Sequence, residues 1–207
     1  MIAPKPRTEC QRLNVLWQYE VLDTVPEEVF DDLTDLAAHI CEAPVALISL
    51  VDEDRQWFKS RVGITRKQTS RDISFCAHAI LQNGLFIVSD ASKDPRFKNN
   101  PLVKGPKGLR FYAGAPLITP DGHALGSLCV MDHKARKLRP EQANALRVLA
   151  HHVVSQLELR RHARELAAVR KDSHQQRAEL VRAQAEVARL RRQLGSKSRG
   201  RAAGLRN

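Results

Sequence analysis

Apolar residues recur along the first two thirds of the chain with two different periods. From Thr8 to Leu22, the positions Leu13, Leu16, Trp17 and Val21 sit at helical spacing, and Asp23-Thr24-Val25-Pro26 breaks the run. A second helix follows, with Pro26 near its first turn and Glu27, Glu28, Asp31 and Asp32 favourably placed on its dipole. Its stripe is Phe30, Leu33, Leu36/Ala37 and Ile40, and Pro44 stops it. Val45–Val51 (VALISLV) is apolar on both faces, as expected of a strand buried inside a sheet. Asp52-Glu53-Asp54 turns the chain into Arg55–Val62 (RQWFKSRV), a mixed strand expected to be more exposed. Gly63–Arg71 is polar and reads as a loop.

Asp72 or Ser74 can cap a short helix through Gln82, which Asn83-Gly84 closes by left-handed C-cap chemistry. Leu85–Val88 reads as a short strand. Residues 90–108, punctuated by Pro95, Pro101 and Pro106, form a long excursion of the kind that often serves as a binding lid. Two apolar segments, Phe111–Thr119 and Ala124–Met131, then flank Pro120-Asp121-Gly122-His123. Asp-Gly at that point predicts a hairpin closed by a type I′ turn. Small residues (Ala113, Gly114, Ala115, Gly126, Ser127) would let other groups approach both strands closely, and Pro116, which has no N–H, predicts a bulge or a gap in pairing.

Pro140 opens the last helix, with Arg139 where a Ser, Thr, Asp or Asn cap is usual, so its start should fray. Leu146, Leu149, Val153 and Leu157 form its inward stripe. From Leu159 one heptad frame sets Leu159, His162, Leu166, Val169, Ser173, Gln176, Leu180, Ala183, Val187, Leu190 and Leu194 at a and d positions. The pattern predicts a coiled-coil helix over 159–194 with a soft patch at Ser173 and Gln176, and a homodimer through its seam. Gly195 predicts its end. Residues 195–207 read as a disordered basic tail, and residues 1–7 as a loose N-terminus.

Charge narrows the partners. Of the 34 Lys/Arg in the chain, 14 lie from Gln156 onward against 5 Asp/Glu, so most of the formal +11 belongs to the tail. The globular part is nearly neutral, which argues against a nucleic-acid-binding domain. The tail could attract RNA, DNA or an acidic partner by counterion release. No aromatic residue follows Tyr112, however, so base stacking has no platform, and a solvated helix face is the plain alternative. The start, MIAPKPRTECQR, has no apolar h-region, and no run approaches the roughly 18 apolar residues of a membrane span. A cytoplasmic protein with no membrane partner is expected. Cys10, Cys41, Cys76 and Cys129 show no CxxC spacing and read as reduced thiols. No HExxH or similar spacing occurs among the eight histidines, so no metal site is expected.

Strand 44–51, strand 55–62, the SFCAHAI helix, DASKDPRF, RFYAGAPLITPDGHALGSLCVMD and LRPEQANALRVLAHHVVSQLELR together resemble a GAF domain. The resemblance spans roughly Thr8–Arg161, with domain bounds set at 8–158. It is to the subgroup that precedes histidine kinase, PAS or diguanylate cyclase modules in bacterial signalling proteins. It implies an α+β, PAS-like antiparallel sheet of five or six strands with helices on both faces. The first, second and last helices would pack on one face, and the short helix with the 90–108 excursion would roof a pocket on the other. No output domain follows the coiled coil, so a separate histidine kinase or diguanylate cyclase is the implied partner.

The expected pocket residues are Phe75, Cys76, Ala79, Asp90, Phe97, Phe111, Ala113 and Cys129. Cys76 falls in the first turn of its helix, where N–H groups stabilise a thiolate; it reads either as a reactive thiol or as a small hydrophobe packed under the helix. Asp90 and Asp94 could meet a polar ligand, although turn roles suit both better. The Asn-Lys-Phe-Asp-Glu pattern of cyclic-nucleotide GAF domains is not visible, nor is the Cys-His pair of bilin-binding ones. The small-molecule ligand and any cofactor stay unidentified. The implied function is a non-catalytic sensory module. Free methionine sulfoxide reductases share the fold but cluster their cysteines, whereas Cys41, Cys76 and Cys129 sit on separate elements.

Overall fold

The computed structural model describes residues 2–203, with side-chain surroundings to Val187 and at Arg189. It divides into two compact units, one ending at Arg161 and the other beginning at His162. The first unit holds α1 (Glu9–Gln18), α2 (Glu28–Cys41), β1 (Val45–Val51), β2 (Arg55–Val62), β3 (Gln68–Ser70), α3 (Cys76–Ala79), β4 (Phe86–Val88), β5 (Phe111–Ile118) and β6 (Ala124–Asp132). The last helix, α4, spans Pro140–Ala203. Six strands form one antiparallel sheet in the order β3-β2-β1-β6-β5-β4.

The run VALISLV sits at the centre because both of its faces are needed. Ala46, Ile48 and Leu50 join a core with Leu16, Phe30, Ala37, Leu146 and Val153 from α1, α2 and α4. Val45, Leu47 and Val51 join a second core with Phe75, Ile80, Phe97 and Val103 from the opposite layer. A strand buried on both sides has no polar face to show, so alternation vanishes. The expected sheet, with helices on both faces, is therefore present.

Several expectations are corrected. β2 is buried along most of its length rather than exposed. The β1–β2 register slips between Ile48 and Ser49, leaving Lys59 as the extra residue of a bulge. Lys59 then reaches the α2 side with its side chain fully buried, donating to Glu27 Oε1 (2.5 Å), Val25 O (2.9 Å) and Thr24 Oγ1 (3.0 Å), while Ser60 Oγ donates to Asp31 Oδ1 (2.6 Å). Polar residues in the strand are thus paired, not solvated. The polar stretch after Gly63 contains β3, a three-residue edge strand on β2 that is too short to show periodicity. Helix α2 starts at Glu28 with Glu27 as its cap, which leaves Pro26 next to the first turn, as expected.

The β5–β6 turn is not type I′. Asp121 does not have positive φ; Gly122 does, at 83°. Gly122 N–H donates to Thr119 O (2.9 Å) and Thr119 N–H to His123 O (3.0 Å). Pro120 therefore occupies the second position of a type I turn closed by a glycine bulge, which suits its fixed φ. Irregular pairing falls between Leu117 and Ile118, just beyond Pro116. Pro116 itself lies past the last β4 pair, at Gly114, on a stretch of β5 with one neighbour only.

The start of α4 is not left bare. Gln142 Oε1 accepts the Arg139 N–H (3.2 Å), one half of a capping box, and Gln142 Nε2 donates to Ile40 O (3.1 Å). The helix also continues through Gly195 to Ala203, past the expected stop. Gly195 and Gly200 both lie in it, and a helical glycine costs only about 1 kcal/mol relative to Ala. Residues 204–207 of the expected tail lie outside the described residues. Among the described residues no helix is long and apolar enough to cross a membrane.

Candidate functional site

Two features occupy the sheet face opposite α1, α2 and α4. The first is an aromatic layer beneath α3. Ser74 Oγ accepts the Ala77 N–H (3.0 Å) and fixes the start of α3, as the sequence suggested, but the helix has only four residues. Phe75 stacks on Phe97 with ring centroids 3.9 Å apart, and Tyr112 and Phe86 close in at 5.3 Å and 5.8 Å of their neighbours Phe75 and Tyr112. Of the expected pocket residues, Phe75, Cys76, Ala79, Phe97 and Cys129 meet here. They fill the space themselves.

Phe111 and Ala113 do not join them. Both lie in the core on the α1/α2/α4 side. The β5–β6 register pairs Gly114 with Cys129 and Ala113 with Val130, so the residues sharing a face with Cys129 are Tyr112 and Gly114. A one-residue difference in parity moves a side chain to the opposite face. Asp90 is also absent from the layer: its carboxylate accepts from Ser92 N–H (3.1 Å) and Ser92 Oγ (2.6 Å) and pairs with Lys93. That is a turn role. Asp94 likewise accepts from Arg96.

Within the layer runs a buried polar chain that sequence spacing did not reveal. Cys76 Sγ lies 3.8 Å from Cys129 Sγ, and Tyr112 OH donates to Cys76 Sγ at 3.4 Å and lies 3.1 Å from Ser127 Oγ. Gly114 makes room for the phenol, since a Cβ there would meet Tyr112 OH at 2.3 Å. A Cys76 thiolate would accept from the Cys129 thiol and from the Ser127, Tyr112 and Ser49 hydroxyls, which together outweigh burial and pull Cys76 below the ordinary thiol range. Cys129 moves upward, first because its thiol donates to Cys76 and then because it is buried.

The second feature is a cavity of about 1050 Å³ beside that layer, with Val45 and Leu47 of β1, Phe58 of β2, and Leu109 and Met131 on its apolar wall and the polar Gln56 of β2 also lining it. Ile64, Thr65, Leu102 and Gly108 are among the residues of the flanking loops that line it, and the exposed Arg66, Lys104, Lys107 and His133 stand at its rim. Among the described residues no carboxylate lines it. None of the four rim side chains has an ion-pair partner among the described residues. None of the eight expected pocket residues lines this cavity. Its residues come from four separate stretches of chain, so no local motif marks them. Only the identification of 90–108 as a lid pointed toward it, since 101–108 form one wall.

Gln56 joins the two features. Its Oε1 accepts from Ser74 Oγ and from Ser49 Oγ (3.4 Å), and its Nε2 donates to Thr69 Oγ1 (2.7 Å). Among the described residues no group of three or more His, Cys, Asp and Glu side chains is placed to hold a metal ion.

Comparison with known proteins agrees with this architecture. The GAF domain model matches residues 25–157. Cyclic di-GMP phosphodiesterase PA2567 of Pseudomonas aeruginosa is 47% identical over 133 residues, covering 64% of this chain and 23% of that protein. The chain thus spans less than a quarter of the length of this relative. Among solved structures, the GAF domain of the Acinetobacter phosphoenolpyruvate-protein phosphotransferase superposes with a TM-score of 0.54 at 16% identity, covering 74% of this chain and 94% of that one. The type II free methionine-R-sulfoxide reductase of Thermoplasma acidophilum gives a TM-score of 0.50 at 12% identity, covering 63% and 92%. Identities this low speak for fold alone. With its family model covering most of the folded unit, the chain belongs to the GAF domain family.

Proposed function

We propose that the chain is a non-catalytic sensory module of bacterial signal transduction, which binds a small organic anion in the cavity bounded by β1, β2, β6 and residues 101–109. The carrying observation is the pairing of an apolar wall with a rim of Arg66, Lys104, Lys107 and His133 that holds no carboxylate. Such a site favours a ligand with an apolar body and a negative group. The relative named a cyclic di-GMP phosphodiesterase supports a setting in nucleotide signalling, where a GAF segment would regulate rather than catalyse.

Output would travel through α4 as a homodimer, to a histidine kinase or cyclase-type partner. Leu159, Leu166, Val169, Leu180 and Val187 are 48–66% exposed along the heptad frame, apolar surface that a second copy would cover. Ligand entry would move the 101–109 wall and Gln56, and through the sheet bias the seam of the paired helices.

Native mass spectrometry of freshly purified full chain tests both halves. The expected result is a dimer carrying a small acidic molecule, with a chain ending at Leu159 monomeric and K104E/K107E protein empty. A monomer mass for the full chain, as for the shortened one, would refute the relay. A bound neutral or cationic molecule retained by K104E/K107E would refute the ligand class.

A further inference from the structure

We propose that Cys76 and Cys129 form a modification site: a buried thiol pair that a peroxide converts into an intrachain disulfide joining α3 to β6. The two sulfurs are already in contact at 3.8 Å, so a bond of about 2.05 Å requires them to close by less than 2 Å. α3 is the element able to give, being four residues long. Cys129 is fixed in β6, which pairs with a strand on each side.

The surroundings activate one sulfur and not the other. Tyr112 OH donates to Cys76 Sγ, Ser127 Oγ lies within reach of that hydroxyl, and Ser74 Oγ holds the turn that carries Cys76. The hydroxyl that Tyr112 aims at Cys76 Sγ marks Cys76 as the attacking thiolate, with Cys129 as the resolving thiol. The other two cysteines serve as internal controls. Cys10 is exposed and stands alone, and Cys41 is buried with its thiol pushed up to about 11 by that burial.

The Cys76 thiolate attacks one oxygen of the peroxide. An S–O bond forms, the O–O bond breaks, and the departing hydroxide takes up the proton that Cys76 released, giving water and a sulfenic acid. Cys129 sulfur then displaces the hydroxyl from Cys76 sulfur. The S–S bond forms, the S–O bond breaks, and the leaving hydroxide takes the Cys129 proton as a second water. Two thiols lose two electrons in all, and one peroxide becomes two waters. Burial of both sulfurs restricts the oxidant to one as small as hydrogen peroxide and shields the product from bulky thiols.

The test uses full-length C10S protein and hydrogen peroxide. The expected result is loss of two hydrogens from the intact mass, a fall in thiols titrated after denaturation from three to one, and a proteolytic fragment linking Cys76 to Cys129. C10S/C129S protein should show no link and a dimedone adduct on Cys76. Y112F should slow the reaction by about tenfold, since it removes the hydroxyl aimed at the attacking sulfur. Retention of all three thiols under peroxide that fully oxidises free cysteine would overturn the proposal, as would a link involving Cys41. The C10S result decides it alone if C10S/C129S protein fails to fold.

Discussion

Replacing Glu9 by Gln removes the one negative charge in a buried cluster with two guanidinium groups. Glu9 accepts from Arg12 Nε (2.9 Å), Arg12 Nη2 (2.8 Å) and Arg71 Nη1 (2.5 Å), and all three residues are buried. Arg71 also donates to Asp52 O (2.8 Å), and its buried Nη2 finds no hydrogen-bond partner among the described residues, so it cannot turn to water for relief. Breaking a buried pair by removing one partner typically costs about 3–5 kcal/mol, and an amide oxygen that still accepts one bond places E9Q near the lower end. The acid limb gives a second measure. Burial raises the Glu9 carboxyl, but hydrogen bonds from Arg12 and then Arg71 overcome it and hold the group at about 2 against 4.5 in the unfolded chain. A carboxylate with a lowered folded value contributes stability above the unfolded value and loses it as pH falls through the folded one. A shift of that size corresponds to about 3 kcal/mol, present at pH 5 and above and gone near pH 2. Trp17 and Trp57 both lie in the first unit, so urea titration followed by tryptophan fluorescence reads that unit and not the heptad helix. Wild type should exceed E9Q by about 3 kcal/mol at pH 7, with the gap closing as the pH approaches 2. A gap under about 1 kcal/mol at pH 7, or one that persists unchanged into acid, refutes the account.

Gly126→Ala should be severely destabilising, by more than about 3 kcal/mol, because its Cβ would stand 1.9 Å from the Ser49 carbonyl oxygen on the neighbouring strand; normal expression and an unchanged urea midpoint would contradict that. Tyr19→Phe removes a hydroxyl that donates to Glu158 and should cost about 1.5–3 kcal/mol by the same fluorescence assay. Arg136→Ala removes donors to Cys41 O and Glu42 O and a guanidinium lying 5.2 Å from the Phe111 ring, and should lower the thermal midpoint by several degrees, as read by scanning calorimetry.

Local pattern carried the fold a long way. VALISLV, the α2 stripe and the hairpin segments each specify an element through residues close in sequence, and the structure keeps their bounds nearly unchanged. What failed were properties set by a partner. Period two says that Phe111 and Ala113 share a face, but the face itself follows from pairing Ala113 with Val130. Lys59 looks solvated in RQWFKSRV, because nothing local announces the bulge or the waiting carboxylate of Glu27. Cys76 and Cys129 are far apart in sequence and meet only because α3 lies over β6. The cavity is the extreme case, assembled from β1, β2, β6 and two loops that share no motif.

Gln56 is where the cavity and the thiol pair become one problem. Its side chain lines the cavity, yet its carbonyl oxygen is already committed to Ser74 Oγ, the group that also anchors the first turn of α3. A ligand donating to that oxygen must compete with Ser74, and loss of the Ser74 contact loosens the four-residue helix that carries Cys76. Movement of α3 in the other direction, as closure onto Cys129 requires, would pull Ser74 on Gln56 and reshape the cavity wall. On the two proposals above, occupancy and thiol oxidation would act on the same short helix through one shared side chain. Q56A should uncouple them: peroxide sensitivity would persist while ligand occupancy ceased to change its rate. An oxidation rate that still responds to ligand in Q56A would place the coupling elsewhere in the sheet.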